Sequence, residues 1–489
     1  MRGAVKRTEL PENAFIDPFG RNEEKIENLL SEALVSVLSY ASTAATRPPM
    51  PLEPFSIPKM LFPEEAVPSK ELLLQLERLL QGAMNEANPR YLGHMDPPPT
   101  TMSVVGEFAA GVLNNNMLSV ELSPVFSQLE AVLVREFSRL FGLGENAGGF
   151  LISGGSLANL QALAVARNQA FPEVREKGFS ELSLRPVLFA SEDAHTSIQK
   201  AAMILGLGSR AVIPVKTNVH SQMDVADLER QIEASKARNE VPFCVVATAG
   251  TTVTGSIDPL QQIAKVTREH HLWLHVDAAY GGALILSEQQ KEKLLGIEEA
   301  DSIAFNPQKW LYVTKACAMI LFREFEKSAD AFQTELPYMQ HNGDLRNLGE
   351  ISVQGTRHVD VLKLWLSLQH IGKKGYAQLV EEGCRLANLF AQKVIERPYL
   401  ELADMPETNI VCFRVKNELN TKELHSFLLR ESCFFLSLPS YRESRWLRVV
   451  LLNPYTDEKI VDELFHIIDR YCTKTNFPKP PSARAILAS

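Results

Sequence analysis

Five places along this 489-residue chain set a reactive or ligand-binding side chain directly after an apolar run. In DSIAFNPQKWLYVTKACAMILFR, Asp301 to Arg323, Lys309 stands between a proline-containing turn and such a run. Burying an ammonium is costly unless it is paired or neutralised, and a lysine held in such surroundings becomes an amine of lowered pKa that can attack a carbonyl. Asp277 follows LWLHV, and a carboxylate entering an apolar crevice needs a cationic or hydrogen-bonding partner. His195 follows VLFAS by four residues and offers a flat imidazole that can stack on a ring, while Thr248 ends FCVVAT with a hydroxyl. Gly154, Gly155 and Ser156 follow GGFLIS and open a helical pattern. Small residues, a hydroxyl and free backbone N–H groups at a helix N-terminus make a seat for a phosphate. Each feature alone has an ordinary explanation as a tight turn, a cap or a surface cation. The glycine patterns of nucleotide-binding loops are absent.

The elements that must position these residues are legible as alternation. From about 100 to 365, helix-like segments alternate with β-rich runs: GGFLIS, RPVLFAS, RAVIPV, PFCVVATAG, LWLHVDAA, SIAFN and ACAMILF. Most are apolar throughout, as expected of strands covered on both faces by helices, which predicts an α/β domain with a mostly parallel sheet. Before it, residues 1–100 read as an N-terminal helical arm, with apolar positions at helical spacing from Ile26 to Val37 and a proline-rich stop at RPPMPLEPFSIP. After it, residues 366–489 read as a smaller α+β domain, with helices TKELHSFLLRE and DEKIVDELFHIIDRYC beside strands IVCFRV and RWLRVVLL. Ligands of open parallel sheets bind beyond the carboxyl ends of the strands. Those ends supply a phosphate seat, an imidazole, a hydroxyl, a carboxylate and an amine. Pyridoxal 5'-phosphate needs this same set: a helix terminus for its phosphate, an anion for its ring nitrogen and a lysine for its aldehyde.

The totals exclude several alternatives. Hydrophobic residues make up 45% of the chain and a formal net charge of -9 argues against a nucleic-acid or anionic-membrane partner. No apolar run reaches membrane-spanning length, and no apolar stretch follows the basic start as in a secretory signal. Six cysteines without C-x-x-C spacing fit buried thiols in a reducing compartment, so a cytoplasmic protein is expected. No histidine or cysteine spacing suggests a metal, and none is expected.

In order and spacing, NPRYLGHM, ELSPVFSQLE, SGGSLANL, SEDAHTSI, HVDAAYGG, FNPQKWL, RHVDVLKLW and WLRVVLLNP span most of the chain. Together they resemble the group II pyridoxal-phosphate-dependent amino acid decarboxylases, which include aromatic-amino-acid, glutamate and cysteine-sulfinate decarboxylases. The resemblance implies the PLP-dependent transferase fold type I, with a seven-stranded sheet and active sites shared across a homodimer. It implies that Lys309 bonds covalently to the cofactor, Asp277 faces the ring nitrogen and His195 stacks on the ring. Gly154, Gly155, Ser156, Thr248, Ala279, Asn306 and Gln308 complete the cofactor site by the same resemblance. Tyr338, in a polar loop over 326–350, corresponds to the tyrosine that returns a proton to Cα. His94, Met95, Asn116, Leu118 and Arg448 fall near the substrate, Asn116 and Leu118 from either subunit.

Two positions depart from the family pattern. Gln308 stands where histidine usually precedes the lysine, and Lys315 stands where an apolar residue is usual, either in the site wall or facing solvent. Asn116 matches the asparagine of glutamate decarboxylases, or else it caps the loop LNNNML. The implied activity is decarboxylation of an L-amino acid with a polar or acidic side chain. Decarboxylation of an aromatic amino acid, transamination, carbon–carbon lysis and binding of the cofactor without catalysis are the alternatives.

Overall fold

All seven apolar runs become strands of one sheet in the computed structural model, which describes residues 10–51, 63–334, 337, 345–416 and 418–474. They are β1 (Gly148–Ile152), β2 (Pro186–Ser191), β3 (Val212–Val215), β4 (Val241–Thr248), β5 (Trp273–Asp277), β6 (Ser302–Phe305) and β7 (Ala318–Phe322). In space they run β1-β7-β6-β5-β4-β2-β3. The pairs β3–β2, β2–β4, β4–β5 and β5–β6 are parallel, and β7 alone runs backwards, antiparallel to both β1 and β6. This is a mixed, mostly parallel α/β sheet. Its inner strands are largely buried because helices cover both faces, so they carry apolar side chains at odd and even positions alike, while the edge strand β3 exposes Pro214. The carboxyl ends of β1, β2, β4, β5 and β6 therefore open toward one edge.

Two N-terminal helices, α1 (Glu23–Ser42) and α2 (Ser69–Gln81), lie against each other and bury no residue fully. They are followed by α3 (Thr101–Leu113), which starts at Thr100, whose side chain accepts from the Ser103 N–H at 3.2 Å, and ends at the left-handed Asn114. Next, α4 (Pro124–Leu140) begins with proline at its first position, where no backbone N–H is needed. The helix α5 (Gly155–Ala170) leaves β1 through Gly154, whose φ of 97° suits a residue without Cβ. Alanines 158, 162, 164 and 166 are buried on it, which lets it lie close to the sheet.

The C-terminal part is a three-stranded antiparallel sheet of Leu447–Val450, Ile410–Val415 and Leu400–Leu402, flanked by the helices Glu418–Glu431 and Glu458–Lys474. A long helix, Asp360–Ile395, carries the chain toward it and breaks its helical dihedrals at Gly372, φ 70°. The boundary expected at 365/366 thus falls within helix, and the change of direction comes at that glycine. The segment 326–350 is also less loop-like than expected, since Phe325–Asp330 and Leu348–Ile351 are helical. Tyr338 lies outside the described residues. No helix among those residues is long and apolar enough to cross a membrane.

Candidate active site

Beyond the carboxyl ends of the parallel strands lies a cavity of about 300 Å3, and all ten residues expected around the cofactor line it. The strands β1, β2, β4, β5 and β6 each deliver their part. Lys309 sits on the turn after β6, where its own N–H donates to the Asn306 carbonyl at 3.0 Å. Its Nζ lies 5.9 Å from the centre of the Tyr280 ring, which is stacked on Trp310. Desolvation lowers the Lys309 pKa and the Arg448 charge acts in the same direction, against the carboxylates of Asp277 and Asp96. A lowered pKa enlarges the neutral, nucleophilic fraction of the amine.

Asp277 ends β5 and is buried. One of its oxygens accepts from Asn159 Nδ2 at 2.8 Å, the other from the Ala279 N–H at 3.1 Å. His195 is exposed toward the cavity, and burial of its surroundings lowers its pKa, with Asp277 opposing. Its Nδ1 is held by Ser197, whose hydroxyl lies at 2.8 Å and whose N–H lies at 3.2 Å. The Thr248 N–H donates to Asp258, and its side-chain hydroxyl Oγ1 is buried in the wall with no partner among the described residues.

At the α5 end, a Cβ on Gly155 would lie 2.9 Å from Asn306 Nδ2, so the cradle closes only around glycine. Asn306 Oδ1, with its amide turned to match its neighbours, accepts from the Gly155 N–H at 3.3 Å. Gln308 answers for the missing histidine through its backbone contacts: its Oε1 accepts from the Cys317 N–H at 2.6 Å, and its N–H donates to the Cys317 carbonyl at 3.1 Å. The residues fit pyridoxal phosphate on three observations: a buried hydroxyl without a partner among the described residues, a helix N-terminus packed closely at Gly155, and an acid and an amine beyond the carboxyl ends of two neighbouring parallel strands.

The substrate residues divide. Met95 lines the cavity. Arg448 does not, but it is tied to the rim: it donates to the Thr252 and Gly93 carbonyls and to His94 Nδ1, the last at 2.9 Å. Burial and the Arg448 charge lower the His94 pKa, so His94 is a neutral acceptor there. Asn116 and Leu118 are absent from this cavity; the Asn116 oxygen accepts from the N–H groups of Leu118 and Arg357, and Leu118 packs beside Gly349 and Gly355. They belong to the foot of the 326–350 segment. Lys315 faces partly into solvent, with Asp96 at 2.9 Å and Glu86 at 3.2 Å.

Three cavity-side residues were missed by sequence reasoning: Asn159, Ser197 and His275, which holds Asn159 from beneath. A signal existed for two. Asn159 lies three residues beyond Ser156, on the same helix face, and His275 lies two before Asp277, on the same strand face.

A sheet of this topology, with a lysine, an aspartate and a helix N-terminus meeting at its carboxyl edge, defines a fold type I enzyme that uses pyridoxal phosphate. The chain belongs to the pyridoxal-dependent decarboxylases: the family model described as "Pyridoxal-dependent decarboxylase conserved domain" matches residues 53–416. It is a carboxy-lyase. Mouse CSAD is similar at a TM-score of 0.86 and 27% identity, covering 92% of this chain and 99% of its own. The glutamate decarboxylase domain of diaminobutyrate-pyruvate transaminase and L-2,4-diaminobutyrate decarboxylase from Vibrio parahaemolyticus gives 0.82 and 25%, with 94% and 98% covered. Oryza sativa TDC, solved with PLP and tryptamine, shares the fold at 0.87 and 21% identity, with 94% and 100% covered.

Proposed function

We propose that this carboxy-lyase acts on an L-amino acid whose side chain is polar and acidic, releasing the corresponding amine and carbon dioxide. The observation that carries the reading is Arg448. It is buried, and among the described residues its contacts are neutral acceptors: two carbonyls and the His94 ring. Asp96, whose charge acts on it from a distance, is engaged by Lys315. A buried cation without an anionic partner favours an anionic ligand at the rim beside it.

Pyridoxal phosphate supplies the electron-withdrawing ring that stabilises negative charge at Cα as the carboxylate leaves. The chain's own residues do the rest. Lys309 would hold the cofactor and yield it to the substrate amine, Asp277 would keep its ring nitrogen protonated, and His195 would cover the ring face. Tyr338 returns the proton to Cα. The pocket orients the departing carboxylate, which decides the bond that breaks. Asn116 and Leu118 complete the pocket of a second copy in a homodimer. Cys244, Cys317, Cys384, Cys412 and Cys433 are free thiols, four of them buried, which supports a reducing, cytoplasmic setting.

The test is carbon dioxide release and product identification across a substrate panel of acidic, aromatic and basic amino acids, with cysteine sulfinate and 2,4-diaminobutyrate included. Acidic substrates are expected to give amine, and Arg448→Gln to raise their KM about ten- to a hundredfold, the loss of one charged hydrogen bond. Turnover confined to aromatic substrates, or a KM indifferent to the substitution, would refute the acidic assignment.

A further inference from the structure

Beneath the cavity floor, seven side chains from β5, β6, α5 and the segment after β2 form one continuous hydrogen-bonded chain. Trp273 Nε1 lies 2.9 Å from Ser302 Oγ, which lies 2.9 Å from His275 Nδ1. His275 Nε2 lies 2.9 Å from Asn159 Oδ1. Asn159 Nδ2 reaches both Asp277 Oδ2, at 2.8 Å, and Ser197 Oγ, at 2.9 Å. Ser197 Oγ then meets His195 Nδ1 at 2.8 Å.

The direction of every bond is fixed from the two ends. Indole N–H can only donate, and a carboxylate can only accept. Asp277 therefore turns the Asn159 amide so that its NH2 faces the acid and its oxygen faces His275. That oxygen requires the proton of His275 on Nε2. The His275 ring is wholly buried and burial holds its pKa well below the ordinary value, so it is neutral and Nδ1 must accept. The Ser302 hydroxyl donates to it and takes the Trp273 N–H in return. On the other branch, the second Asn159 hydrogen goes to Ser197, whose hydroxyl and N–H both point to His195 Nδ1. His195 is left with its proton on Nε2.

We propose that Trp273, Ser302, His275, Asn159 and Ser197 are positioning residues that act as a one-way hydrogen-bond relay, orienting the Asp277 carboxylate and fixing His195 as the neutral Nε2–H tautomer. The relay serves both residues that face the cofactor ring from one anchor, the Trp273 indole. It rests on the family's use of this cavity for pyridoxal phosphate and is independent of the substrate's side chain. A partly satisfied buried network would be worse than an apolar one, so the full satisfaction of this chain points to a positional role.

Nitrogen-15 histidine spectra of the full chain, free and loaded with cofactor, read the tautomers directly. His275 and His195 are expected as Nε2–H forms, with His275 neutral down to pH 5. Ser197→Ala should shift His195 toward a mixture of tautomers while leaving His275 unchanged. Trp273→Phe, close in shape, should release the Ser302 hydroxyl and shift the His275 Nδ1 resonance. Asn159→Leu should raise the cofactor dissociation constant about ten- to a hundredfold and move the pH midpoint of its visible absorbance. An Nδ1–H tautomer at either histidine, a His275 that titrates above pH 6, or a His195 signal unmoved by Ser197→Ala would overturn the relay. These readouts need no substrate, so their failure is separable from failure of the acidic assignment.

Discussion

His275 ties the chemistry of the site to the stability of the fold. Its ring is buried between β4 and β6, held by Ser302 and Asn159, and desolvation lowers its pKa below the 6.5 of an exposed imidazole, with the Asp277 charge opposing. The unfolded chain therefore binds a proton at this position over a range where the native chain does not. Stability from this group is complete above the unfolded value and is lost as pH falls below about 6.5, by at most about 1.4 kcal/mol per pH unit. His358 works in the opposite sense, since its hydrogen bond to Asp360 raises its pKa and its contribution fades as pH rises. Urea unfolding of the wild type and of His275→Gln between pH 7.5 and 5 is expected to converge on acidification, because only the wild type carries the penalty. Parallel curves would show that the native ring is protonated.

At the scale of elements, the site depends on β1 being held so that Gly154 and Gly155 meet Asn306. Glu130 of α4 and Arg357, both buried, form the clamp. The Glu130 carboxylate accepts from the Leu151 N–H at 2.9 Å and from Arg357 at 3.0 Å, while Arg357 also donates to the carbonyls of Leu151, at 2.7 Å, and Met117, at 3.1 Å. Removing one partner of such a pair strands a buried charge. Glu130→Leu is expected to cost about 3–5 kcal/mol in chemical unfolding and to weaken cofactor binding, and a loss below about 1 kcal/mol would show the clamp to be ornamental. The clamp was not legible in the sequence, because nothing there pairs Glu130, at the end of ELSPVFSQLE, with Arg357, at the start of RHVDVLKLW, 227 positions away. The strands were legible, since two-sided burial writes itself as unbroken apolar runs. Their order and the reversal of β7 were not, because a run of apolar residues carries no direction. Single residues at strand ends could be read from topology, whereas the link between Asn159 and His275 joins helix and strand and shows only in the fold. Their contact spans 116 positions.

For the whole molecule, the arm presents an unsolved surface. The 20 residues of α1 include none that is buried, and Leu30, Leu34 and Val37 stay exposed. With Val104, Val105 and Phe108 of α3 they line an apolar groove of about 1010 Å3. An exposed apolar groove of this size is the kind of surface that a partner can cover. A second copy is the occupant we propose, for a reason located at the active site: Asn116, three residues past the end of α3, and Leu118 do not line their own Lys309 cavity. The pair Leu30→Asp and Leu34→Asp adds two charges to the groove and touches no cavity residue. Sedimentation of the wild type is expected at twice the 54.5 kDa chain mass, and of the double variant at the chain mass itself. The variant should keep its far-ultraviolet circular dichroism yet lose about a hundredfold in turnover, as expected when pocket residues are displaced. A wild type that sediments as a single chain with full activity would place the whole pocket within one subunit, and Asn116 and Leu118 would lose their role in it.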